Sequence, residues 1–156
     1  MNLAPRWPAY AVAALFLGYA VGKAGYAVQG RLGFPGGPPV SAAETESYVL
    51  NPSVAQWLAS ATGVVGACVA LATVTTVGRR VPRRLMWLAL AALVLAAVGG
   101  GGIMIVDGFF GLGVGWQWHH GVLGILLIAL VLAMTRSWGR AAGVVSAVGG
   151  AGRQRR

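Results

Sequence analysis

Apart from arginine and one cysteine, the side chains able to carry charge or exchange a proton near neutral pH are Lys23, Glu44, Glu46, Asp107, His119 and His120. These types allow an ion pair, a metal or haem ligand, or a proton relay, and their spacing narrows the choice. Lys23 stands late in an apolar run, and a lysine at a bilayer centre costs about 3 kcal/mol. It must either snorkel to the headgroups or face a partner. Asp107, at the end of another apolar run, is the acid placed to meet it. His119 and His120 are adjacent, so on a helix they point about 100° apart and cannot easily ligate one metal from the same face. A catalytic zinc takes three protein ligands. A haem with an axial histidine on each side would normally draw them from two spans, whereas here both begin one helix. The expectation is no bound cofactor, with a haem- or metal-dependent redox protein using His119 and His120 as an alternative. Cys68 alone permits no intramolecular disulfide and no Cys-x-x-Cys pair. The glycines 99–102 lack the Gly-Lys-Ser/Thr continuation of a phosphate loop.

Composition sets the elements that must position these residues. Of 156 residues, 57% are hydrophobic and 10% charged, against about 25% charged in soluble domains. This argues against a soluble enzyme, a disordered chain and a secreted disulfide scaffold. Four apolar runs, about 8–28, 54–77, 85–106 and 118–134, approach the ~20 residues that cross a bilayer core. They predict an all-α polytopic membrane protein, with four transmembrane helices in an antiparallel bundle. The helices fill residues 1–135. Residues 136–156 form a basic cytoplasmic tail, either disordered or lying weakly on the surface. Trp7, Trp57, Trp87, Trp116, Trp118 and Trp138 fall near the predicted span ends, as interfacial tryptophans do. Pro8 suits a first helical turn. The first run is longer than a signal-peptide core and carries Lys23, so it reads as a span rather than a cleaved leader.

Orientation follows from arginine. Arg79, Arg80, Arg83 and Arg84 sit in the short connection between spans two and three, Arg6 precedes span one, and Arg136, Arg140, Arg153, Arg155 and Arg156 follow span four. Placing these inside leaves only Arg31 outside, together with all three acids. The chain is therefore expected in a plasma membrane with both termini cytoplasmic. The same distribution explains the net charge of +9 without nucleic acid as a partner. The first outer loop is broken by Gly33, Pro35, Gly36, Gly37, Pro38 and Pro39. Within it, Ser41-Ala42-Ala43-Glu44 has the pattern of a capping box, and Asn51-Pro52-Ser53 that of a helix entry. The second outer loop, after Asp107, is rich in glycine and aromatic residues and is expected in the interface.

Phe16, Tyr19, Lys23 and Tyr26 share one face of the first span, and Gly18, Gly22 and Gly25 another. The glycine face is a candidate for close helix packing, against a neighbouring helix or another copy. The stretch from Lys23 through Tyr26, Gly30, Arg31 and Gly33 to Pro35-Gly36 resembles a group of small actinobacterial integral membrane proteins of unknown function. In these a lysine and an aromatic residue end the first span, followed by a Gly-x-x-Gly-x-Pro-Gly turn. The resemblance implies four helices and an actinobacterial-type plasma membrane, and no reaction.

Together these features predict an end-on polar cluster of Lys23, Asp107, His119 and His120, with Glu44 and Glu46 over it. The soluble segments are too short to form a domain, and no span carries the several ionisable groups of an ion path. The reading is a non-enzymatic accessory, partner or immunity-type protein in contact with the bilayer. An oligomeric small transporter or channel subunit, assembled through the glycine faces, is an alternative.

Overall fold

The computed structural model describes residues 5–153, with side chains through residue 142. Five α-helices run in order: α1 (Trp7–Val28), α2 (Ala42–Glu46), α3 (Pro52–Ala72), α4 (Arg83–Phe110) and α5 (Trp118–Arg153). Among the described residues there is no strand. α1, α3, α4 and the Trp118–Ala142 part of α5 are long and apolar enough to span a membrane, and they pack as an antiparallel bundle.

The bundle is two hairpins laid together. α1 packs along α3, α4 packs along α5, α1 touches α5, and α3 scarcely meets α4. Between apolar helices in lipid the hydrophobic effect offers little drive, so contact depends on small residues and interhelical hydrogen bonds. α3 supplies both. Gln56, Ser60, Gly63, Ala67 and Ala70 are buried at alternating spacings of four and three. On α1, which packs along α3, Ala13, Ala20 and Ala27 are buried at a spacing of seven, and Gly63 lies against Ala20. Ser60 donates to the Ala20 carbonyl at 2.9 Å and Ser53 to that of Ala27 at 2.6 Å. The apolar core, with Val12, Leu90, Val131 and Met134 fully buried, is built from the first half of α1, the last half of α3, the start of α4 and the spanning second half of α5. It therefore lies toward the arginine end of the bundle.

Helix ends follow local chemistry. Asn51 caps α3 by accepting from the amides of Ser53 and Val54. Ser41 and Glu44 form the reciprocal capping box of α2. Span two had been expected to reach residue 77, but α3 stops at Ala72. Thr73 turns its hydroxyl back onto the Ala70 carbonyl at 2.6 Å, and Gly78 folds so closely over the Ala72 carbonyl that no Cβ fits. α4 outruns its expected end, so Asp107 lies within a helix rather than in a loop. The stop comes at Gly111, in the left-handed region at φ 70°. α5 likewise continues past residue 134 to Arg153, across the residues expected as a separate tail. Trp138 packs edge-on against Trp87 at 5.0 Å, and the Ser137 hydroxyl donates to the Pro5 carbonyl, which holds this turn to the bundle. Residues 154–156 of that tail lie outside the described residues.

Candidate functional site

The end of the bundle opposite the arginine turn is crossed by two connections, residues 29–51 and 111–117, and Lys23, Gln56, Asp107 and His120 all engage them. The Lys23 ammonium donates to the Gly33 carbonyl at 2.7 Å and lies 5.5 Å and 5.3 Å from the ring centres of Tyr19 and Phe34. The Gln56 amide donates to the same Gly33 carbonyl at 3.2 Å. Its Oε1 is buried with no hydrogen-bond partner. The Tyr26 hydroxyl reaches the Phe34 carbonyl at 3.4 Å. The first connection is thus tied to both α1 and α3.

α4 and α5 tie the other side. Asp107 is 2% exposed, and a carboxylate in the last turn of a helix opposes the helix dipole. It is satisfied by the returning chain, with one oxygen accepting from the Val114 amide at 3.2 Å and the other from Trp116 at 2.7 Å. Trp116, held in this way, sets its ring edge-on to Phe34 at 4.9 Å and edge-on to His120 at the same distance. His120 Nδ1 accepts from the Gln117 amide at 3.0 Å. Its proton therefore sits on Nε2, which donates to the Gly36 carbonyl at 2.6 Å. Gly37 backs onto Trp116, and Gly115, at φ 95°, onto Pro38.

Lys23, Asp107 and His120 each hold the connections at one end of the bundle, through separate backbone groups and not through one another. Among the described residues no ion pair joins Lys23 to Asp107, since each is engaged by backbone groups instead. His119 is exposed and lies beside His120, ring centres 4.0 Å apart. Both nitrogens of His120 are spent, so a metal or haem iron there would have to displace a loop hydrogen bond. Among the described residues no three His, Cys, Asp or Glu side chains converge. Glu44 and Glu46 are exposed on α2. Glu44 is occupied by its cap, where the Ser41 backbone amide, and then its hydroxyl, hold the carboxyl below its ordinary range.

Within the chain, the glycines of α1 do not make the close helix approaches. A Cβ at Gly18 or Gly25 would meet nothing within 4 Å, and Gly22 receives the ring of Pro35 rather than a helix. The close helix approaches are elsewhere. Gly63 and Gly66 of α3 lie against Tyr19, Ala20 and Phe16 of α1, and Gly101 of α4 meets Gly124 of α5 backbone to backbone. The sequence reading passed over Gln56, Phe34 and Trp116 as parts of the site. The signal for Gln56 was present, because an amide early in an apolar span needs a partner.

Below this network, between α3 and α4, runs a groove of about 880 Å³. Tyr19, Phe34, Pro35 and Trp116 close its end. Its walls are almost wholly apolar, including Val65 and Val69 on one side, Ala92 and Ala96 on the other, and Leu123 and Leu127 of α5. Comparison with protein-family models, curated proteins and solved structures returns no match for this chain.

Proposed function

We propose that the chain is a non-catalytic accessory or partner protein of a bacterial plasma membrane, of actinobacterial type, with both termini cytoplasmic and the two long connections outside. One observation carries this reading. The charged and imidazole side chains of the network are engaged by backbone: both nitrogens of His120, each oxygen of Asp107 and one donor of the Lys23 ammonium. A general base, metal ligand or proton relay needs a free lone pair facing its substrate. These groups instead hold an aromatic roof over an apolar groove, an arrangement suited to receiving another membrane component. Cross-linking in intact host membranes is expected to join residues 29–51 or the α3–α4 face reproducibly to one second protein. The purified chain in liposomes is expected to pass no ions or small solutes. Solute flux above that of protein-free liposomes would overturn the reading.

The open faces at Gly18 and Gly25 favour a second reading, an oligomeric transporter or channel subunit. That reading requires Gly25→Leu to reduce the oligomer mass in mild detergent.

A further inference from the structure

The arginine end of the bundle carries charge that no side-chain carboxylate neutralises. The acids Glu44, Glu46 and Asp107 all belong to the opposite end, while Arg79, Arg80, Arg83, Arg84, Arg136 and Arg140 stand here. Two of these arginines are set into a shaped recess. Between the start of α4 and the later part of α5, Trp87, Thr135, Arg136, Gly139 and Arg140 line an open hollow. Arg136 and Arg140 are exposed, and among the described residues neither guanidinium has a hydrogen-bond or ion-pair partner.

The hollow follows from residue types. Arg136 and Arg140 are one turn apart, so they project from one face of α5 with Cβ atoms about 6 Å apart. Gly139 has no side chain to fill the space beside them, and a Cβ there would come 3.3 Å from the Trp87 ring. Trp87 is steadied in turn by its edge-on contact with Trp138. The Thr135 hydroxyl donates back to the Val131 carbonyl at 2.9 Å, so the charged donors of the hollow are the two guanidiniums. Two planar donor forks on one face are complementary to the oxygens of a phosphate.

Depth decides where that phosphate comes from. From Trp118 to Arg136, α5 rises about 27 Å at 1.5 Å per residue, close to the ~30 Å of a hydrocarbon core. Arg140 stands about 6 Å further on. With the Trp118 end at one boundary of the core, both guanidiniums fall in the headgroup layer at the other. A dissolved anion gains little from exposed arginines, because water and salt screen them. A lipid phosphate is held at that depth by its own acyl chains, which raises its effective concentration at the site.

We propose that Arg136 and Arg140, with Trp87 beside them, bind the phosphate of an anionic phospholipid in the leaflet at the arginine end. The site goes beyond the accessory reading and does not depend on it.

The purified full chain is stripped of lipid in mild detergent and offered phosphatidylglycerol and phosphatidylcholine with identical acyl chains. Retained lipid is then counted by native mass spectrometry. The wild type is expected to retain phosphatidylglycerol over phosphatidylcholine by about 25-fold, the product of about fivefold for each of two arginines. Arg136→Gln combined with Arg140→Gln is expected to remove most of that preference with an unchanged melting temperature. Arg79→Gln combined with Arg80→Gln removes the same charge from the turn and is expected to leave the preference in place. Gly139→Leu, which fills the hollow at constant charge, is expected to lower it. Equal retention of the two lipids by the wild type overturns the proposal. An equal fall in the two arginine double variants overturns it too, because it marks diffuse attraction by net charge. Displacement of the retained lipid by excess inorganic phosphate overturns the lipid source, because it marks a site for a dissolved anion. If the Arg136 and Arg140 double variant fails to fold, an undiminished preference in Gly139→Leu still overturns the site. Solute flux through the purified chain would overturn the functional reading and leave this site standing.

Discussion

Asp107 shows how a single side chain organises the loop-bearing end. Its two oxygens fix the amides of Val114 and Trp116, and Trp116 in turn meets Phe34 and His120. Asp107→Asn keeps the shape but sets an NH2 group against one of those amides. It is expected to cost about 2 kcal/mol, the worth of a hydrogen bond to a charged group plus an unmet donor. Thermal unfolding in detergent, followed by tryptophan fluorescence, measures this. Glu44 gives a pH dependence of definite sign. Its carboxyl is held below the ordinary range by the Ser41 cap. The stabilisation of α2 is therefore present above the unfolded-state pKa and lost as pH falls through the lower folded value. The protection of the 42–46 amides, taken relative to their intrinsic exchange rate at each pH, is expected to fall on acidification, and Glu44→Gln should remove that pH dependence.

At the scale of elements, the four spans and both helix entries at Ser41 and Asn51 were legible, because hydropathy and capping act within a few residues. Which small residues make the contacts was not. In a chain with 25 glycines, spacing alone cannot separate Gly18, which faces a groove, from Gly63, which lies against Ala20. That distinction comes from how the helices are turned about their axes, which is decided by packing between distant segments. The ends of α3 and α4 were missed for a related reason. A threonine hydroxyl turned back on Ala70 and a left-handed Gly111 end a helix without a change in hydropathy. At the site, Lys23, Asp107 and His120 were legible as polar exceptions in apolar runs. Their partners were not, being backbone carbonyls and amides that every residue possesses. The Gly101–Gly124 crossing offers a direct contrast. A Cβ at Gly124 would stand 2.5 Å from the Gly101 carbonyl oxygen, while one at Gly99 meets nothing. Gly124→Val is expected to destabilise by about 3 kcal/mol and Gly99→Val by less than about 0.5 kcal/mol, compared by unfolding in the same detergent.

For the whole molecule, the division of charge is the main guide to orientation. The arginine turn between α3 and α4 and the 29–51 connection lie at opposite ends of the bundle. In a Cys68→Ala background, Val40→Cys is expected to react with a membrane-impermeant maleimide on intact cells, and Val77→Cys only after permeabilisation. The reverse pattern would overturn the proposed topology.

The roof has a kinetic consequence. Its two connections meet through Phe34 on Trp116, the first is also bound to α5 through Gly36 on His120, and the second is held to α4 by Asp107. Lifting either one uncovers the ring of the other. The segment behaves as one cooperative opening unit, so molecules meeting the groove's end encounter two states rather than a continuum. Exchange at that end then runs at the rate of a single collective event, however many contacts it breaks.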